Sequence, residues 1–226
     1  MSELVISTKG LNLIYAAGKP NEVHALRDVN LQIEKGELIA ITGPSGSGKS
    51  SLLHILGAMQ TPTNGSITLI GKDIQNMPRN QLSEIRRSTI GFTFQSFALI
   101  NHLTALDNVM VPMYPVNPPW LRDRAEELLD RVGLGNRMSH YPHQLSGGEK
   151  QRVAIARALI NKPTIVLGDE ITGNLDSGTG LEIFKLIKDL NADERITFLL
   201  VTHDLQLAAL CDRQISMNDG KLSDQI

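Results

Sequence analysis

The run Gly43-Pro44-Ser45-Gly46-Ser47-Gly48-Lys49-Ser50 ends in a cation and a hydroxyl after three glycines. Residues without a Cβ let successive backbone N–H groups turn inward around anionic oxygens, and a helix opening at the end of the loop adds its N-terminal dipole. The spacing Gly-x4-Gly-Lys-Ser is the P-loop pattern, which needs a strand before it and a helix after it. In that setting Lys49 reaches the β- and γ-phosphates of a nucleotide and the Ser50 hydroxyl ligates Mg²⁺. Gly43, Ser45, Gly46, Ser47, Gly48, Lys49, Ser50 and Ser51 are the candidate phosphate-binding residues. Asp169-Glu170, after the apolar run 164–167, is the second grouping with chemistry in it. Asp169 is placed to hold Mg²⁺ through water, and Glu170 to polarise an attacking water. Such a pair alone also describes a solvated strand end; its weight comes from following a second buried strand, well beyond the P-loop.

The elements that must position these groups are legible in the hydrophobic pattern. Residues 3–42 read as short strands with turns. Residues 29–33 alternate strictly, as a half-buried antiparallel strand does, and residues 38–42 are nearly all apolar, as a strand buried on both faces is. Residues 50–56 read as the helix after the P-loop, and 65–72 as a strand opened by Gly65 and closed by Gly71. From about residue 80 the pattern turns helical. Leu121, Ala125, Leu128 and Val132 share one helical face. Residues 147–160 form another helix, stopped by Asn161 and Pro163. Residues 164–167 and 197–201 are buried strands on either side of a helix over 177–190, whose Ile183, Phe184, Ile187 and Leu190 share a face. Buried strands alternating with helices predict an α/β fold with a mostly parallel sheet, and its chemistry at the carboxyl ends of the strands. The proline-rich stretch 112–119 reads as an irregular loop.

Composition sets the bounds. The chain has 226 residues, a formal net charge of −2 and a single cysteine, Cys211. That length suits one domain with subdomains, the charge argues against a nucleic-acid partner, and one cysteine excludes an intrachain disulfide. Cys211 reads as a small core residue rather than a reactive thiol. No apolar run approaches the roughly 20 residues that span a bilayer, and no signal peptide is apparent, so work at a membrane requires recruitment by a partner rather than direct insertion.

Leu145-Ser146-Gly147-Gly148-Glu149 followed by Lys150-Gln151-Arg152 completes the set. A helix N-cap accounts for Ser146 but not for both glycines. With the P-loop and Asp169-Glu170, this stretch resembles the signature of the ABC transporter ATPase subunits, over essentially the whole chain. The resemblance implies a P-loop NTPase core with an N-terminal antiparallel β subdomain and an inserted α-helical subdomain. Residues 1–94 and 160–226 would form the core, and about 95–159 the helical subdomain with the signature. It implies ATP and Mg²⁺ as ligands and two copies packed head to tail. Lys49 and Ser50 of one copy, with Ser146, Gly147 and Gly148 of the other, would then grip one triphosphate, aided by the dipole of the helix starting at Gly147. Tyr15 matches the aromatic that stacks on adenine. Gln95, after Gly91-Phe92-Thr93-Phe94, resembles the glutamine that touches Mg²⁺ and the attacking water. Leu175-Asp176 resembles the loop that crosses to the second copy, and His203, in Val201-Thr202-His203-Asp204, resembles the histidine that contacts the γ-phosphate and orients Glu170.

Residues 95–100 and 103–109, with Arg86-Arg87, are similar to one subfamily, the ATPases of lipoprotein release, macrolide export and cell division. Residues 96–103 would then receive an integral membrane permease subunit, with Phe97, Leu99 and Ile100 as apolar anchors, on the cytoplasmic face of the cell membrane. Two positions depart from the family pattern. Ile171 replaces the usual proline, which implies a less constrained backbone after Glu170, and Gly168 is smaller than the usual residue. A soluble ATPase acting on DNA or the ribosome is the alternative, as is an ATP-gated docking protein that transports nothing.

Overall fold

The computed structural model describes residues 3–225. In chain order, β1 (Leu4–Tyr15) and β2 (Val23–Glu34) form an antiparallel ribbon, and β3 (Leu38–Thr42) leads through the glycine loop into α1 (Lys49–Leu56). Next come β4 (Asn64–Leu69), β5 (Lys72–Asp73), α2 (Arg79–Thr89) and β6 (Ile90–Thr93). Three helices follow, α3 (Ala105–Met110), α4 (Leu121–Arg131) and α5 (Gly147–Leu159). The chain closes with β7 (Ile165–Asp169), α6 (Ser177–Glu194), β8 (Thr197–Val201), α7 (Leu205–Ala208), β9 (Arg213–Asn218) and β10 (Lys221–Gln225).

Two sheets result, a four-stranded antiparallel one ordered β2-β1-β4-β5 and a six-stranded one ordered β10-β9-β3-β8-β7-β6. In the second, every pairing is parallel except the β9–β10 hairpin. Its central strands are buried on both faces and alternate between two cores. Phe198 and Leu200 of β8 join the core built with α3 to α6, while Leu199 and Val201 join the core shared with α1 and the antiparallel sheet. This period-2 division is why these strands read as continuous apolar runs. It also fixes the carboxyl ends of β3, β6, β7 and β8 side by side.

Two expectations change. The opening strands are not short: β1 and β2 each run 12 residues, because bulges at Gly10 (φ +57) and Asp28 (φ 52) let the ribbon bend without ending. Residues 90–93, within the stretch read as helical, are a strand paired in parallel with β7 from Ile90↔Ile165 to Thr93↔Gly168. Asn161 holds that turn, donating from Nδ2 to Arg87 O. The helical face at Leu121, Ala125, Leu128 and Val132 is fully buried, as is that at Ile183, Phe184, Ile187 and Leu190. Among the described residues, no helix is long and apolar enough to cross a membrane.

Candidate active site

β3 delivers the chain into the glycine loop and α1 receives it. Gly43 sits at φ +149, and a Cβ there would lie 2.1 Å from Met217 O; Gly48 sits at φ +106, and its Cβ would lie 2.3 Å from Ala25 O. Both glycines are thus required by close backbone approach as well as by backbone conformation. Gly48 caps α1 with no side-chain bond, which leaves the first-turn N–H groups for an anion. Lys49 is buried, and its Nζ donates to Gly43 O at 2.9 Å and Pro44 O at 2.8 Å. The loop's own carbonyls therefore hold the ammonium over the cradle.

The loop forms one wall of a cleft of ≈ 1060 Å³, lined also by Tyr15, Val23, His24, Ala25, Arg27, Glu170 and residues 218–223. Tyr15 is anchored through its hydroxyl, which lies 3.2 Å from Ser51 Oγ and donates to Gln60 Oε1 at 3.0 Å, so the ring remains as an apolar wall. Val23, His24, Ala25, Arg27 and residues 218–223 lie outside the set that the sequence singles out. The turn at Asp219-Gly220 has a hairpin signature, but nothing local says that it folds over the P-loop. It does so through Arg27 N–H donating to Gly220 O at 2.8 Å and Gly220 N–H donating to Ser47 O at 3.0 Å.

At the ends of α1 and β7, Ser50 Oγ donates to Asp169 Oδ1 at 3.2 Å. A hydroxyl and a carboxylate are hard oxygen donors of the kind Mg²⁺ takes, with phosphate oxygens and water completing its shell. Among the described residues no group of three His, Cys, Asp or Glu side chains could hold a metal ion. Glu170 follows Asp169 in the left-handed region, at φ 47. Its Oε1 lies 3.5 Å from Nδ1 of the largely exposed His203. Gln95 lies just beyond β6, where its carbonyl accepts from Asn174 Nδ2 at 2.7 Å. Its side chain faces the turn after β7: a Cβ on Gly173 would meet Gln95 Nε2 at 3.0 Å and Glu170 Oε2 at 3.4 Å. Gln95 thus borders Glu170 rather than the cleft wall. Ile171, after Glu170, is 5% exposed and belongs to the core cluster that holds Phe184 and Leu200.

Ser146 is the N-cap of α5 in a reciprocal capping box: Glu149 N–H donates to Ser146 Oγ at 3.2 Å, and Ser146 N–H donates to a Glu149 carboxylate oxygen at 2.8 Å. The Ser146 N–H holds the Glu149 carboxyl below its ordinary range, assisted by Arg137. Both following glycines have a reason within the chain. A Cβ at Gly147 would lie 3.1 Å from Leu175 Cδ2, and one at Gly148 would lie 2.6 Å from Thr179 Cγ2. They let the start of α5 rest against the start of α6. Asp176 caps α6, accepting from Thr179 N–H at 3.0 Å and Thr179 Oγ1 at 2.6 Å, and these bonds lower its pKa. Ser146, Gly147, Gly148 and Asp176 lie together on this ledge, and none lines the P-loop cleft.

In the segment 96–103, Ile100 is exposed at 45%, while Phe97 and Leu99 are half-buried. Phe97 and Ala98 are consecutive left-handed residues (φ 61 and 48) whose carbonyls accept from the Arg157 guanidinium near the end of α5. Fully buried Asn108 pins the rest, accepting from Ile100 N–H at 2.7 Å and donating to Ile100 O, Leu103 O and Thr104 O. Cys211 is half-buried, its thiol pushed up to about 12 by desolvation, as a packing residue's would be.

The ABC transporter family model matches residues 26–173. An ABC transporter ATP-binding protein of Methanocaldococcus jannaschii, itself uncharacterised, is 46% identical over 220 residues, covering 96% of this chain and 97% of that one. A lipoprotein-releasing system ATP-binding protein LolD, from Shewanella oneidensis, is 45% identical over 228 residues, covering 98% and 97%. Among solved structures, an ATP-binding cassette captured as a post-hydrolysis dimer with ADP and phosphate superposes with a TM-score of 0.88 at 41% identity, covering 97% of this chain and 98% of that one.

Proposed function

This chain belongs to the ABC transporter family as an ATP-binding, ATP-hydrolysing subunit, and on that footing we propose that two copies close head to tail around two ATP molecules to drive a membrane partner. The observation that carries the reading is the separation of two halves of a site. The P-loop cleft has none of Ser146, Gly147 or Gly148 in its walls, and those residues sit at a helix N-terminus of their own. A triphosphate bound to Lys49 and Ser50 presents its γ-phosphate outward, where the N-terminus of a second copy's α5 meets it.

In this reading the loop N–H groups and Lys49 bind and orient the phosphates, and Ser50 and Asp169 hold Mg²⁺. Held by Ser50 and Asp169, Mg²⁺ would supply positive charge to offset that of the phosphates. Glu170 orients and polarises the attacking water, with His203 and Gln95 fixing the carboxylate from either side. Tyr15 packs on the adenine. Loss of the γ-phosphate contacts after hydrolysis reopens the pair, so the work comes from the difference in ATP affinity between the open and closed forms. Residues 96–103, with exposed Ile100, receive an integral membrane subunit of the lipoprotein-release or mechanotransmission kind, which holds the protein at the cytoplasmic face of the membrane. Residues 95–159 move as the helical subdomain against the remainder.

The test is ATP-dependent dimerisation. Glu170→Gln with ATP and Mg²⁺ should elute as a dimer on a sizing column, while Lys49→Ala should bind no ATP and remain monomeric. Ser146→Arg should bind ATP as a monomer without dimerising. A Glu170→Gln protein that stays monomeric at saturating ATP refutes the paired site. The trapped form should also retain a membrane protein from detergent-solubilised membranes that Lys49→Ala does not; ribosomal or DNA-bound partners instead would refute the membrane role.

A further inference from the structure

Glu170 is a non-glycine residue at φ 47, a strained conformation that persists only where its surroundings enforce it. Two backbone bonds flank it: Glu170 N–H donates to Val201 O at 3.0 Å, and Gly173 N–H donates to Glu170 O at 2.9 Å. These fix the peptide planes on either side but do not reach the next side chain, Ile171, which points into the core. Gly168 lies two residues before it in β7, paired with Thr93 and Leu200. Gly168 is not at positive φ, so its backbone does not ask for glycine. Space does. A Cβ at position 168 would lie 2.9 Å from Ile171 Cγ2 and 2.8 Å from Leu200 Cδ2. The Leu200 methyl ends a flexible side chain and can swing aside. Ile171 Cγ2 sits on a β-branched carbon with little rotamer freedom, so it can leave only if the backbone at 171 moves with it.

We propose that Ile171 is a positioning residue for Glu170, its γ2 methyl seated in the space left by the missing side chain of Gly168. The seat is two residues before the carboxylate and the plug is one residue after it, so the pair brackets Glu170. Any displacement of Ile171 rotates the Glu170 peptide and carries its carboxylate away from His203. The two departures from the family pattern are thus one device: the glycine makes room for the branched side chain, and its packing holds the turn where a ring would. This inference rests on Glu170 being the carboxylate that polarises the attacking water.

The experiment is a mutant cycle on steady-state ATPase kinetics, with ATP binding and thermal melting measured alongside. Gly168→Ala should lower kcat by about 10-fold, given that misplacement by an ångström can cost more than that, while KM for ATP and the binding affinity hold. Adding Ile171→Leu, which keeps the volume but removes the γ2 methyl, should restore most of kcat. Adding Ile171→Val, which keeps that methyl, should not. An unchanged kcat in Gly168→Ala, rescue by valine equal to that by leucine, or no rescue by leucine in a folded protein overturns the proposal. Equal loss of binding and kcat does so too. Should Gly168→Ala not fold, Ile171→Ala with Gly168 intact carries the test: kcat must fall at constant KM, and an unchanged kcat overturns it. Glu170→Gln run in parallel separates the two readings. If it turns over ATP at the normal rate, the role of Glu170 fails and this proposal with it; if it is slow while the cycle shows no coupling, only the proposal fails.

Discussion

Replacing Arg157 with methionine keeps a long apolar stem but removes a guanidinium that donates to two consecutive carbonyls, Phe97 O at 2.7 Å and Ala98 O. Hydrogen bonds from a charged donor contribute about 1.5–3 kcal/mol each, so a rigid segment would lose about 3–6 kcal/mol. The segment is not relaxed, however. Phe97 and Ala98 both sit at positive φ (61 and 48), and releasing two such residues returns about 1–3 kcal/mol apiece. Ala98 is also exposed, so water replaces part of its lost bond. Simple left-handed backbone lies at the mild end of that strain, about 1 kcal/mol per residue, so about 1–4 kcal/mol remains before water repays part of it, and it is spent on local opening rather than global unfolding. Melting should fall by only a few degrees, since about 1 kcal/mol shifts a chain of this size by roughly 2–4 °C. Local exchange should change far more. The Phe97 N–H, bonded to Phe94 O at 3.0 Å, and the Ala98 N–H, bonded to Ser96 O at 2.7 Å, should exchange about 10–100-fold faster, with β7 and β8 unaffected. Hydrogen–deuterium exchange with peptide resolution over 94–103 is the assay. Unchanged exchange there in the folded variant would refute the idea that Arg157 pins this segment, and acceleration spread evenly over the sheet would show that Arg157 acts only on global stability.

Three further outcomes follow from side chains already placed. Gly148→Ala should destabilise by about 1–3 kcal/mol through overpacking on Thr179 and weaken ATP-driven dimerisation on a sizing column; adding Thr179→Ser, which removes the opposing methyl, should restore both. Glu149 has a folded pKa below its ordinary 4.5, so its contribution is present above about 4.5 and is lost as pH falls through the lower folded value; acid titration of melting should show a limb that Glu149→Gln lacks. Cys211, raised from 9.0 to about 12 by desolvation, should resist iodoacetamide at pH 8 in the folded protein and react on unfolding. Because the folded state holds that proton longer than the unfolded one, stability should fall as pH climbs from about 9 towards 12, and Cys211→Ala should remove that part of the alkaline loss.

The elements that the sequence determined are those whose cause is local. The glycines of residues 43–48, the continuous apolar runs at 38–42 and 197–201, and the one-sided faces of α4 and α6 each carry their own periodicity or turn chemistry, so they were readable without knowing their neighbours. β6 was not, because four residues following a helix carry no period of their own; Ile90 to Thr93 become a strand only by pairing with Ile165 to Gly168. The same holds at the site. The types and spacing of Lys49, Ser50, Asp169 and Glu170 pointed to the chemistry, since phosphate, metal and water each ask for particular donors, while the role of His203 came from the family resemblance. The cleft's other walls, Val23, His24, Ala25, Arg27 and residues 218–223, could not be foreseen, because they belong to strands and a hairpin that reach the P-loop only through long-range backbone bonds. Nor could the sequence say why Gly168 and Ile171 occur together, three residues apart on a strand end and the turn after it. Their relation is a steric one between a missing Cβ and a branched methyl, and it exists only once the chain has turned through Glu170 and folded Ile171 back beneath the sheet.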